Sequence, residues 1–300
     1  MNVCTDTLKS PTIMLAKDYK DGAVDYPVMV SEKLDGVPVR IEWEEFSGEL
    51  VAITRQGKFI TSIPHILKQL EEILEPWERV IGELWIPRTP FEVISGKVRG
   101  KDPAPDLHLY LYDMVGLNDA EFYKDRYLKL NEITDIVLTH YEGRTAVHAI
   151  QHWFCESSNE LDYFKTLVYD ASTAHQFEGW VVRAYTGKHS QYKLARSWGM
   201  QRIVPKPTKD FEVVRVNEAY DSDKNSKGIA GSLDVQTASG EQLRVGAGKA
   251  SHAMRKEWLD NPSSIVGKIV QVQYKPSSYN ALRQPTFQRI RDDKETPDNG

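Results

Sequence analysis

Apolar and polar positions alternate along much of the first two thirds of the chain. "YPVMVSEKLDGVPVRIEWE" reads as a strand, an Asp-Gly turn and a second strand. "LVAITRQGKFI" reads as a hairpin bending at Gly57, and "RVIGELWIP", "DLHLYLYDMV" and "FEGWVVRAY" as strands rich in β-branched and aromatic residues. Helical spacing marks "SIPHILKQLEEILEPWE". Ser62 is its expected cap, Pro64 lies in its first turn, and Ile66, Leu67, Leu70, Ile73 and Leu74 form one face. "AEFYKDRYLKLNEITDIV" and "NELDYFKTLVYDAST" have the same period. After Lys206 the texture changes to short strands with Gly, Asn and Ser turns, interrupted by one helix, "SHAMRKEWLD". That pattern predicts a small Greek-key barrel of the OB type. The expected fold class is therefore α+β, with a boundary near Pro207, giving domains 1–207 and 208–300. The tail "ETPDNG" is expected to be disordered.

Composition narrows the picture. The chain has 300 residues, 40% apolar and 27% charged, which suits two packed domains. No apolar run is long enough to span a bilayer, and the start lacks a secretory pattern, so a cytoplasmic protein is expected. Two cysteines, Cys4 and Cys155, fit a reducing compartment with free thiols. His148, His152 and Cys155 have zinc-like spacing only on a helix. The surrounding Val, Ile, Trp and Phe favour a strand, with Cys155 on the face opposite the histidines.

The net charge is −5, yet Arg183 to Lys209 contains seven cations and no acid. A second group, Arg283, Arg289, Arg291 and Lys294, lies near the C-terminus. A basic stretch on an acidic chain points to a localised polyanion site; its plain alternative is a solvated face.

Lys33 stands in an apolar run just before Asp35-Gly36. On these four residues alone a surface charge at a strand end is the stronger reading, and a nucleophilic amine the weaker. Further segments, in order, change this: "EKLDGV", "TRQGK", "GELW", "LYLYDMV", "FEGWVVR", "VPKPTKDFEVV" and "FQRIRDDK". Together, from about Met14 to Lys294, they resemble the motif series of the ATP-dependent DNA ligases, within the lysine nucleotidyltransferase superfamily. With no large DNA-binding or zinc module ahead of them, they look like a minimal, phage-type or bacterial accessory ligase.

The resemblance implies an antiparallel-sheet, ATP-grasp-like nucleotidyltransferase domain followed by an OB barrel. It implies ATP and Mg²⁺ as cofactors, nicked duplex DNA as partner, and a monomer acting away from membranes. Lys33 would attack the α-phosphorus of ATP. Arg55 matches an arginine near phosphate and nick, and Glu83 a glutamate that binds ribose or helps place a metal. Tyr112 matches the aromatic under adenine, and Glu178 a metal-associated glutamate beside Gly179, which lets backbone approach the nucleotide. Arg183 and Arg196 match phosphate ligands, and Lys206 the second lysine of a paired K-x-K. Arg291, Asp293 and Lys294 match the last motif, which orients the leaving pyrophosphate from a barrel hinged near Pro207–Asp210. This chain departs from the family at Pro38, where Arg40 on the same strand face takes the arginine's part. It departs again at Val204, for which Arg202 is the substitute. Glu178 and Arg183 are five apart, so either Glu178 precedes the strand or a bulge intervenes. The rival enzymatic readings are an RNA ligase or a GTP-using mRNA capping enzyme. A non-catalytic OB-fold nucleic-acid binder is the rival of another class.

Overall fold

The computed structural model describes residues 12–116, 121–173, 177–275 and 282–299. The chain's contacts divide it into two compact units, between Val204 and Pro205.

Among its described residues the first unit contains two sheets and four α-helices. In chain order its elements are β1 (Leu15–Asp18), β2 (Val28–Lys33), β3 (Val37–Trp43), β4 (Leu50–Thr54), β5 (Phe59–Ile60), α1 (Pro64–Glu71), β6 (Arg79–Trp85), α2 (Phe91–Arg99), β7 (His108–Val115), α3 (Tyr123–His140), β8 (Val147–Ala149), β9 (His152–Cys155), α4 (Ser158–Thr173), β10 (Gly179–Ala184) and β11 (Arg196–Ile203). A five-stranded sheet runs β1-β11-β10-β2-β9, and a six-stranded sheet β5-β4-β3-β6-β7-β8.

The strands around Asp35-Gly36 form as the alternation predicts, but they do not make a hairpin. β2 pairs with β10 and β9, whereas β3 pairs with β4 and β6. The turn thus carries the chain from one sheet to the other and leaves Lys33 at the end of β2. The Gly57 hairpin of β4 and β5 is present.

The larger core lies under the six-stranded sheet, where Val39, Ile41, Leu84, Leu109 and Leu111 meet Ile66, Leu70 and Ile94 of the helices and Leu74 just after α1. α1 buries Ile66 and Leu70 and begins with Pro64. Ser62 is not its cap. It is fully buried, and its hydroxyl donates to the Val98 carbonyl at 3.3 Å. A second core packs Leu161, Phe164 and Val168 of α4 against Val28, Val30, Trp180 and Val182 of the five-stranded sheet. A buried ion pair fixes α3 to β7: Arg126 meets Asp113 at 2.8 and 3.2 Å, and Arg126 also donates to the Glu121 and Ser190 carbonyls.

The histidine-rich segment is extended as its composition predicts, but broken at Ile150–Gln151, so His148 and His152 lie in different sheets. His148 pairs with His108 at 2.8 Å, and His152 with the Tyr123 hydroxyl at 2.8 Å. Burial and the Arg183 charge push His152 down to about 3, so it is neutral. Cys155 is a buried free thiol, pushed up to about 11 by burial; Cys4 lies outside the described residues.

The second unit is a closed five-stranded barrel. Its elements are β12 (Thr208–Tyr220), β13 (Ser226–Gln236), β14 (Gln242–Gly246), α5 (His252–Asp260), β15 (Ile269–Lys275) and β16 (Arg283–Ile290), and its order is β12-β13-β14-β16-β15. That order, with a helix before the fourth strand, is the OB arrangement. Phe211, Leu233, Val245, Trp258, Val270 and Phe287 fill it. The tail departs from expectation. Asp298 accepts from the Asp210 amide at 2.8 Å, donates its own amide to the Asp210 carbonyl, and binds Lys294 at 2.5 Å. Among the described residues no helix is long and apolar enough to cross a membrane.

Candidate active site

Lys33 and Glu178 meet because two strand ends are in register. Gly179, the first residue of β10, lies opposite Lys33, the last residue of β2. Glu178 therefore precedes the strand, the first of the two arrangements its spacing allowed. Its amide donates to the Lys33 carbonyl at 2.6 Å, and its carboxylate lies 2.5 Å from Lys33 Nζ. Both side chains are half-buried, 25% and 15% exposed. Gly179 has φ +147°, and a Cβ there would sit 2.2 Å from the Ile203 carbonyl oxygen. The close approach it permits is to its neighbour β11.

Glu83 comes from the other sheet, opposite Pro38 of β3 and Tyr110 of β7. Burial pushes its carboxyl up to about 8. Lys33 opposes that rise, Glu178 and Asp35 add to it, and the Gly36 amide donates to the carboxyl. Glu83 thus feels one ammonium and two further acids, although among the described residues no three acids, histidines or cysteines stand close enough to hold a metal ion. Such surroundings favour a proton on Glu83 or a further cation. Asp35, read in the sequence only as a turn residue, is the unforeseen member of this group.

Tyr112 is the extra residue of a bulge: Ile81 pairs with Asp113 and Gly82 with Leu111, leaving it unpaired. Its ring packs with Ile13, Ile81 and Val115. The Arg183 guanidinium lies 4.9 Å from the ring centre, with Tyr123 at 5.4 Å. Burial, and then the Glu83 charge, hold the Tyr112 hydroxyl well above its ordinary range. Arg183 is 4% exposed and donates to the Ser31 hydroxyl at 3.1 Å. Ser31 shares the Lys33 face of β2.

The other expected residues hold different partners or are exposed. Arg40 shares the Pro38 face of β3 but donates to the Thr12 carbonyl and Glu42. Arg55 is exposed in the β4–β5 turn. Arg196 is exposed on β11 and donates to the Ala16 carbonyl at 2.5 Å. Arg202, the substitute considered for Val204, is tied to Asp18 at 2.7 Å.

In the second unit Lys206 is exposed ahead of β12. Arg291 forks onto Asp293 at 2.8 and 2.9 Å and reaches Asp210 at 2.6 Å. Lys294 binds Asp210 at 2.9 Å as well as Asp298. The Arg291 guanidinium pulls Asp293 down to about 2. Asp210, expected from sequence only as part of the hinge, binds both cations. Its signal was its place as the first acid after the run of cations, in "PKPTKDFE".

Residues 224–291 match the DNA ligase OB-like domain family. A DNA ligase of African swine fever virus (isolate Tick/South Africa/Pretoriuskop Pr4/1996) is 21% identical over 211 residues, 69% of this chain and 48% of that protein. The chain thus spans about half the length of the curated relatives it matches. Among solved structures, Pmar-Lig_PreS3 is similar with TM-score 0.76 at 20% identity, covering 95% of this chain and 68% of the other. A structure from work on the Lig E DNA ligases is similar with TM-score 0.72 at 22% identity, covering 93% and 98%. The ATP-dependent DNA ligase of bacteriophage T7, in complex with ATP, is similar with TM-score 0.52 at 17% identity, covering 93% and 98%. In sequence and fold the chain resembles DNA ligases.

Proposed function

We propose that this chain is an ATP-dependent DNA ligase that seals 5′-phosphate/3′-hydroxyl nicks in duplex DNA. The observation that carries the reading is the Lys33 ammonium at a strand end, 2.5 Å from Glu178 and flanked by Glu83, in a fold shared with DNA ligases. Residues 1–207 are then the adenylation domain and residues 208–300 the OB domain.

Lys33 attacks only as a neutral amine, so its proton leaves first, and the Glu178 carboxylate in contact with it is placed to accept that proton. The nitrogen then bonds to the α-phosphorus of ATP as the bond to pyrophosphate breaks. AMP passes next to the 5′-phosphate at the nick, and the 3′-hydroxyl displaces it. Each transfer needs in-line geometry and neutralised phosphate oxygens. Tyr112 offers its ring to adenine, and Arg183 braces that ring and Ser31 from behind. Glu83 and Glu178 would hold Mg²⁺, which supplies charge neutralisation at the phosphates. Arg40, Arg55, Arg196 and Lys206 would meet nucleotide or DNA phosphates. Arg291, Asp293 and Lys294 would orient the pyrophosphate, once the cations exchange their aspartate partners for phosphate oxygens. The protein would act as a cytoplasmic monomer, on a substrate that DNA repair, replication and recombination all generate.

The test is sealing of a singly nicked, 5′-phosphorylated duplex with ATP and Mg²⁺. The wild-type chain converts it to the full-length strand and Lys33→Arg does not. Sealing by Lys33→Arg at the wild-type rate, or sealing that needs GTP or an RNA nick, overturns the reading.

A further inference from the structure

The first unit carries a cationic feature that the active-site cluster does not use. β1 is the edge strand of the five-stranded sheet, parallel to β11. Their register jumps: Ala16 lies opposite Ser197, but the next residue, Lys17, lies opposite Gln201. Three residues of β11, Trp198, Gly199 and Met200, therefore bulge out of the pairing. The bulge is sterically built, because a Cβ on Gly199 would sit 1.6 Å from the His189 carbonyl oxygen. Bulges at sheet edges re-aim side chains, and this one aims Trp198 at two lysines.

Lys17 Nζ lies 4.0 Å from the centre of the Trp198 ring, and Lys20 Nζ lies 5.9 Å from the same centre. Among the described residues neither ammonium has a carboxylate within ion-pairing distance. Of the acids beside them in sequence, Asp18 is engaged by Arg202 at 2.7 Å and Asp21 by Lys165 at 2.9 Å. Lys193 and Arg196 are exposed on the segment entering β11, and Arg196 is bonded to the β1 backbone. Lysines guard many sheet edges against unwanted pairing. A guard needs only one charge on the strand. Here two ammoniums gather on one ring, beside the acid-free run from Arg183 to Lys209 that supplies Trp198.

We infer that this Trp198 ledge is a landing surface for the phosphate backbone of duplex DNA. The identification of the polyanion rests on the ligase reading. Two like charges gathered on one ring repel each other, and closely spaced phosphates relieve that repulsion. The indole face holds both ammoniums in place, so less side-chain freedom is lost when phosphate arrives. Lysine is a point-charge donor, so the ledge reads no sequence and serves any duplex.

The test uses the full chain with Lys17→Gln and Lys20→Gln combined, and a fluorescein-labelled intact duplex followed by anisotropy across a salt series. Affinity is expected to fall about tenfold near 0.1 M salt, and the slope of log K against log salt to shrink by nearly 2, about 0.9 per lost contact. Attachment of AMP to Lys33 from ATP alone stays at the wild-type level, and Lys17→Arg with Lys20→Arg restores duplex binding. Unchanged affinity and slope in the glutamine variant overturn the ledge, as does an arginine variant that binds as poorly as the glutamine one. Loss of duplex affinity in a protein that takes up no AMP upholds the ledge and removes the ligase reading. Normal AMP uptake with wild-type duplex binding in the glutamine variant does the reverse.

Discussion

Replacing Glu83 by glutamine isolates the electrostatic strain of the candidate site. The native carboxyl is pushed from 4.5 up to about 8, first by burial and then by Glu178 and Asp35. Between those values the folded protein keeps a proton that the unfolded chain has released. Stability is therefore full below about pH 4.5 and falls as pH rises toward 8. At about pH 7 the linkage reaches roughly 3 kcal/mol, from about 1.36 kcal/mol per pH unit above the unfolded value. The side chain retains some solvent contact, which reduces the expected effect to roughly 1–2 kcal/mol. Glutamine keeps the shape and can accept from the Gly36 amide, but it does not ionise. Urea unfolding of both proteins from about pH 5 to pH 8 measures the effect. Glu83→Gln should gain on the wild type by roughly 1–2 kcal/mol across that range, with an unchanged m-value, while losing AMP attachment. A stability gap that stays constant with pH, or that widens in favour of the wild type, refutes the placement of Glu83 against the other acids.

Three further outcomes follow from the packing. Arg126→Leu strands the buried Asp113 carboxylate and should cost about 3–5 kcal/mol in urea unfolding, most of which Arg126→Leu with Asp113→Leu recovers. Gly179→Ala forces a Cβ against the Ile203 carbonyl at a positive φ and should cost about 1–3 kcal/mol by the same assay, because the β10–β11 pairing must open. Asp298→Ala frees Lys294 and the Asp210 amide, and should lower the thermal midpoint of the barrel by a few degrees, about 1 kcal/mol.

Much of the architecture was readable because local pattern and final packing agree. α1, the β4–β5 hairpin and the barrel strands each have a period or turn that tertiary contacts reinforce. The Asp35-Gly36 segment shows where such reading ends. Alternation identified both strands, but the choice of partner is non-local: β2 finds β10, nearly 150 residues later in sequence by the register of Lys33 with Gly179. The resemblance implied a phosphate ligand at Arg183, but the side chain is buried. Its burial depends on Tyr112, Tyr123 and Ser31, which the sequence leaves far apart. Ser62 has the chemistry of a helix cap, but the core buries it against α2. α2 itself passed unread, although Pro90 before it and Gly100 after it are ordinary start and stop signals. The tail looked disordered by composition, and only the buried Asp210 network gives Asp298 something to hold.

The central claim is that the Lys33 amine becomes bonded to phosphorus. Purified protein incubated with ATP and Mg²⁺, then digested and mapped by mass spectrometry, tests it directly. One AMP is expected, attached through an acid-labile bond to Lys33 and released when nicked duplex is added. AMP on another residue, or none on a folded protein supplied with ATP, would contradict it.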